Sequence, residues 1–357
     1  MLKRLANWIQ PIVLGLALLF ITGLLASQWS NLRAYPWRLH NGWLALSALF
    51  MLVSWLIEIG LWRTILHLIS ISRKQQPPPT HESRITNHDP TLPYFSAMRF
   101  WFLSAITRYI PGNIWQPLSL TIYCRRWGFA PEATMTSVLF YQIVLLLSSI
   151  PIAAFYFGVT RNFGLLTEYL NSVIIWLIPL GVIPLLAFLL RPDWLICCIN
   201  WALQKTGRDP LNATLGWRDL LRLILVAICH WITWGICFAT LTIALSDFTT
   251  AQMLDFASHL ITVYAIAYTI GYLSVITPSG LGVREGAFFV LLTPLMGATA
   301  VTVAALAMRL WTTVGELFAA AISAGFDFYD QRADRQKKSS IIASDSRADL
   351  EKGADHA

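Results

Sequence analysis

The stretch TPSGLGVREG, Thr277 to Gly286, sets an arginine beside a glutamate, Arg284 and Glu285, among small and helix-breaking residues. Pro278, Ser279, Gly280 and Gly282 precede the charged couple and Gly286 follows it, with strongly apolar sequence on both flanks. Proline lacks a backbone N–H and disfavours helical geometry in the residue before it, so one helix ends here and another begins. The first N–H groups of the new helix lack partners and carry the positive end of its dipole, which suits a phosphate or a carboxylate. Arg284 reads as an anion contact, and Glu285 as an N-terminal cap or an ion-pair partner at the helix start. The glycines by themselves read equally as turn residues, close-packing points or a cradle for a headgroup phosphate.

A second Arg–Glu couple, Arg309 and Glu316, is 316 − 309 = 7 residues apart, two turns along one helix face. Arg309 lies at least a turn inside an apolar segment, where an unpaired, unhydrated cation is strongly disfavoured. Two readings stand: a structural pair in the bundle, or Arg309 holding a phosphate while Glu316 balances charge or receives an amine. A second break, RYIPGNIWQP, carries Arg108, Tyr109, Pro111, Gly112 and Trp115. Arg108 suits bidentate recognition of phosphate, whereas Tyr109 and Trp115 read as interfacial anchors or as ligand walls. Glu58 and His230 are isolated ionisable residues inside apolar runs, either satisfied by partners or part of a proton relay.

The elements that must position these residues are membrane helices. Of 357 residues, 56% are hydrophobic and only 13% charged, a balance that excludes an ordinary soluble domain. Apolar runs predict spans at about 11–27, 43–66, 133–157, 172–190, 222–246, 256–277 and 298–324 by the length needed to cross hydrocarbon. The expected class is therefore an all-α polytopic membrane protein of about eight transmembrane helices with two broken or re-entrant segments. The half-helix near 283–296 is expected to complete the eighth crossing. Lys and Arg cluster beside span ends and predict cytoplasmic termini, and the net charge of +7 fits this bias and anionic headgroups rather than nucleic acid. The expected domain covers 1–326, with a polar, Pro-rich loop at 72–93 and a charged, disordered tail at 327–357. The five cysteines show no CxxC spacing and no Cys/His cluster, so neither metal nor cofactor is expected.

The two breaks are also related by an offset. Pro278 follows Pro111 by 278 − 111 = 167 residues, and Arg309 follows Gln142 by 309 − 142 = 167. The offset reads as an internal duplication, inverted or parallel, or as chance agreement between apolar helices. Carriers built from repeats place their sites near the midplane between discontinuous helices, which makes Gln142 a further site candidate.

RYIPGNIWQ, TPSGLGVREGAF and ALAMRLWTTVGEL together resemble the transmembrane, flippase-like region of the lysylphosphatidylglycerol synthase family, from the first span to about residue 325. A mild departure is Ser279, where the family usually has glycine. The resemblance implies a stand-alone relative in a bacterial inner membrane that moves an anionic, aminoacylated or polyprenyl-linked lipid between leaflets. Synthase relatives continue into a soluble aminoacyl-transferase domain, whereas this chain ends in a short charged tail, so transfer from tRNA is not expected. The expected partner is membrane lipid, with a lipid-modifying enzyme and homo-oligomerisation also open. The alternatives are a membrane-embedded glycosyl or acyl transferase using a lipid-linked donor, with Glu285 or Glu316 as base, and a scaffold of a lipid-modifying complex.

Overall fold

The computed structural model describes residues 26, 29–34, 38–73, 91–109, 115–160, 187, 190–205, 216–246, 248, 250–273, 280 and 282–354. Among them the regular structure is helical: α1 Trp29–Ala34, α2 Asn41–Arg73, α3 Tyr94–Ala105 and a 3-10 turn Ile106–Tyr109. Then follow α4 Trp115–Arg125, α5 Pro131–Thr160, α6 Pro192–Lys205, α7 Trp217–Leu245, α8 Thr250–Leu273, α9 Val283–Met296 and α10 Ala298–Ala354. Five segments are long and apolar enough to cross a membrane: Asn41–Ser70, Pro131–Gly158, Trp217–Leu245, Asp255–Leu273 and Ala298–Phe326. They match five of the expected spans. Nearly all of the expected spans at 11–27 and 172–190 lie outside the described residues.

Local chemistry explains the helix ends. Proline stands first in α5 and α6, where its missing N–H costs no hydrogen bond and its fixed φ suits a helix start. Gly128 turns α4 into α5 with φ 84°, and Gly297 joins α9 to α10 with φ 78°. Helix α10 runs on to Ala354, into the segment expected to be a charged tail. That segment has no proline and no glycine between Gly325 and Gly353, and its Ala, Arg, Lys, Gln and Glu favour helix.

Helices α2, α5, α7 and α8 pack together, and α9, α10, α3 and α4 close one side of this group. Buried tryptophans tie the group through their indole N–H. Trp62 of α2 donates to Ser137 Oγ of α5 at 3.1 Å, and Trp231 of α7 donates to Ser148 Oγ of α5 at 3.0 Å. At Gly235 the backbones of α7 and α8 touch, since a Cβ there would stand 2.3 Å from the Ile261 carbonyl oxygen. Leu49, Leu52, Leu56, Leu225 and Phe318 remain exposed, the outward apolar face that lipid covers in a membrane protein.

The described helix boundaries follow the sequence offset. Helix α5 begins at 131 and α10 at 298, 298 − 131 = 167; α4 begins at 115 and α9 at 283, 283 − 115 = 168; α3 ends at 105 and α8 at 273, 273 − 105 = 168. A helix, an interruption, a short helix and a long helix thus occur twice in the same order.

Candidate functional site

Eight helices converge on one cavity of about 160 Å³. Helix α10 contributes Arg309, Thr312, Thr313 and Glu316, a single face at three- and four-residue steps. From α8 come Tyr264, Tyr268 and Tyr272, again four residues apart, together with Gly271. Trp231, Trp234 and His230 line it from α7, Gln142 from α5, and Gln116 and Pro117 from α4. Glu58 of α2, Trp101 of α3, and Gly280 and Arg284 of the opening motif complete the charged and aromatic wall.

The motif is built on a close backbone approach. Gly280 has φ 68°, a conformation that side chains disfavour, and a Cβ on it would lie 2.7 Å from the Gly271 carbonyl oxygen. A Cβ on Gly271 would in turn lie 3.0 Å from Cβ of Arg284. Two glycines therefore let the loop before α9 press on the end of α8, which carries Arg284 into the cavity wall. Gly282, with φ 77°, precedes α9 as its N-cap, and its N–H donates to Glu285 Oε2 at 2.8 Å. Gly286 is exposed with open space around it, so it makes no close contact of the Gly280 kind.

Arg284 sits among rings. Its guanidinium carbon is 4.9 Å from the Tyr264 ring centroid, 5.3 Å from Tyr268 and 5.6 Å from Phe288. Tyr264 is held by Trp234, stacked on it at 5.7 Å, and Phe288 by Phe238 at 4.7 Å. Cation–π attraction contributes about 0.5–2 kcal/mol per good contact once water is excluded. The buried Nη2 of Arg284 nevertheless has no hydrogen-bond partner. Such a donor is costly unless an acceptor arrives.

Arg309 is placed differently. Its Nη1 donates to Glu285 Oε1 at 2.6 Å, both side chains being largely shielded from solvent. Glu285 thus fills both roles read for it, capping α9 and pairing with a cation of α10. The structural pair expected for Arg309 exists with Glu285 of α9, and Glu316 faces the same cavity two turns further along.

Glu58, also on the cavity wall, is 9% exposed and accepts the Tyr141 hydroxyl on Oε1 at 2.8 Å. His230 Nδ1 lies 3.3 Å from the Ser54 carbonyl oxygen. A carbonyl only accepts, so Nδ1 carries the proton and Nε2 keeps the lone pair in the neutral ring.

Of the residues singled out in the sequence, Glu58, Gln142, His230, Gly280, Arg284, Arg309 and Glu316 meet at the cavity. Gly282 and Glu285 support it from behind. Trp115 opens α4 half-buried, one residue before Gln116 of the wall. Arg108 and Tyr109 belong to the 3-10 turn after α3, and Pro111, Gly112, Pro278 and Ser279 lie outside the described residues. The Arg284 cage was not anticipated, although Tyr264, Tyr268 and Tyr272 at four-residue spacing are a legible one-face signal. Among the described residues no group of three or more His, Cys, Asp and Glu is placed to hold a metal ion.

Comparison with known proteins agrees with this architecture. No curated protein and no solved structure matches the chain. The sequence profile of the lysylphosphatidylglycerol synthase TM region matches residues 8–319, a stretch that contains every side chain of the cavity. A multi-pass helical bundle with a charged, aromatic cavity is thus this chain's version of that region, and the chain belongs to the lysylphosphatidylglycerol synthase TM family.

Proposed function

We propose that the chain moves the headgroup of a phosphate-bearing lipid between the leaflets of a bacterial inner membrane while the acyl chains stay in the bilayer. The observation that carries this reading is Arg284, which lines the cavity and whose buried Nη2 has no hydrogen-bond partner. A phosphate oxygen is the acceptor that a guanidinium fork matches, and a charge-assisted bond of this kind is about twice as strong as a neutral one. A headgroup crossing bare hydrocarbon loses its hydration with nothing in exchange, and a polar internal surface lowers that barrier. Glu58 and Glu316 on the same cavity favour a headgroup that carries an ammonium beside its phosphate, hence the aminoacylated option. In this reading α9 completes the eighth crossing, and both termini face the cytoplasm.

The test is translocation in proteoliposomes. Acyl-chain-labelled phosphatidylglycerol, its lysyl ester and a polyprenyl phosphate are each followed by bleaching of the outer leaflet with a membrane-impermeant reductant. The wild type should expose inner-leaflet label of the lysyl ester fastest. Arg284→Ala should slow it by roughly ten- to a hundredfold, the equivalent of a lost hydrogen bond to a charged group at about 1.5–3 kcal/mol. Equal rates for wild type, Arg284→Ala and protein-free vesicles would sink the transport reading.

A further inference from the structure

Gln142 and Arg309 hold the same place in two helices that run in opposite directions. Gln142 is the twelfth residue of α5 and Arg309 the twelfth of α10, since 142 − 131 = 309 − 298 = 11. In the short helices before them, Gln116 is the second residue of α4 and Arg284 the second of α9. All four side chains line the cavity. Contacts along the helices give the directions. Helix α5 is antiparallel to α2, since Ser137 meets Trp62 and Tyr141 meets Glu58. Helix α7 is antiparallel to α2 as well, with Cys237 at Ser47 and His230 at Ser54. Helix α8 runs against α7 through Trp234–Tyr264 and Trp231–Tyr268, and α9 against α8 through Phe288–Tyr264 and Arg284–Gly271. Glu285 and Arg309 pair at 297 − 285 = 12 and 309 − 297 = 12 residues from Gly297, so α9 and α10 form a hairpin. Helix α9 therefore points the same way as α5, and α10 the opposite way. Helices α4 and α5 form the matching hairpin across Gly128, so α4 runs against α9.

The two hairpins are thus related by inversion, and carriers built from inverted repeats place their sites where the copies meet, near the midplane. Trp231 of the cavity wall is 231 − 217 = 14 residues from the start of α7 and 245 − 231 = 14 from its end, at mid-span. The copies differ in chemistry. The α9–α10 hairpin offers guanidiniums, which only donate: Arg284, whose Nη2 has no partner, and Arg309, paired to Glu285. The α4–α5 hairpin offers the uncharged amides of Gln116 and Gln142, each able to donate and to accept. An ionised phosphodiester only accepts hydrogen bonds, whereas a hydroxyl both gives and takes them. We infer that the cavity is a pair of inverted half-sites, in which Arg284 takes the phosphate of a lipid headgroup and the amides of Gln116 and Gln142 take the hydroxyls of the group esterified to that phosphate. This rests on the transport reading and narrows its cargo to lipids with a hydroxyl-bearing headgroup. The division follows from charge. An amide adds no net charge to a desolvated space, so the α4–α5 half binds a neutral polar group there without the cost of burying a second ion.

The experiment is calorimetric titration of the purified full chain with short-chain phosphatidylglycerol and short-chain phosphatidylpropanol. The two lipids are equal in charge and chain length, and only the first bears headgroup hydroxyls. Wild type should bind the glycerol lipid roughly two- to tenfold more tightly, the effect of about one net hydrogen bond between neutral groups. Gln116→Met and Gln142→Met each remove an amide at similar length and should shrink this preference, and the double variant should abolish it. Gln142→Asn keeps an amide and should keep a preference, which guards against a loss that comes from misfolding. Arg284→Ala should weaken both lipids alike, because both carry the phosphate. Equal affinities of the wild type for the two lipids would overturn the half-site and leave transport standing. A preference that survives the double Gln→Met variant, or one that Arg284→Ala erases, would overturn it equally. If the wild type binds neither lipid and moves neither in vesicles, the transport reading falls and the half-site falls with it.

Discussion

Arg309 and Glu285 meet at 2.6 Å across 24 residues of sequence, pinning the first turn of α9 to the N-terminal part of α10. The same carboxylate accepts the Gly282 N–H through its other oxygen, so one side chain both caps the helix and neutralises a cation of the next. Arg284, next in sequence to Glu285, is left to the aromatic cage and the cavity.

This pairing predicts strong coupling. Glu285→Gln keeps an acceptor for the Gly282 N–H but leaves Arg309 without its anion, and should lower thermal stability in detergent more than the Glu285→Gln, Arg309→Gln double variant does. A double-variant cycle should return a coupling of roughly 0.5–3 kcal/mol, read from thermal or denaturant unfolding. Additive effects of the two substitutions would show that the contact contributes nothing of its own.

The motif glycines should separate by position. Gly280→Ala forces a Cβ into a left-handed backbone and against the Gly271 carbonyl oxygen, with a cost of about 1–2 kcal/mol from the backbone before any clash. It should reduce the yield of folded protein. Gly286→Ala meets open space and should be neutral or stabilising by up to about 1 kcal/mol, since alanine favours helix interiors. Thermal unfolding of the two variants side by side checks the contrast.

Gly271→Ala tests placement rather than folding. Its Cβ would press on Cβ of Arg284 at 3.0 Å, tighter than ordinary contact, so the guanidinium must shift within the cage. Lipid binding should weaken several-fold while the melting temperature falls less than for Gly280→Ala, a split that calorimetry and thermal unfolding resolve.

The cage itself predicts a graded series. Tyr268→Leu and Phe288→Leu each remove one ring face from Arg284 and should lower headgroup affinity by a few-fold, as expected for cation–π contacts of about 0.5–2 kcal/mol. Arg284→Lys retains the charge and loses the planar fork, so it should bind phosphate-bearing lipid more weakly than wild type and more strongly than Arg284→Ala. Equal affinities across this series would remove Arg284 from the binding surface.

Much of this protein was legible in its residues. The membrane class follows from composition, and five spans follow from runs of apolar residues, because hydropathy is a sum over neighbours in the chain. The start of α9 follows from proline and glycine, whose backbone preferences are equally local. Arg284, Glu285, Arg309 and Glu316 stood out because ionisable groups beside or inside apolar segments demand compensation. The identity of each partner was not legible. Glu285 is 24 residues from Arg309, and Glu58 is 83 from Tyr141, distances that only helix packing closes. The cage needed three aromatic faces from α8 and α9 to converge on one guanidinium, and that convergence rests on the Gly271–Gly280 contact. Sequence spacing specifies which side chains share a face of one helix, whereas which faces meet is decided by how closely the backbones pack.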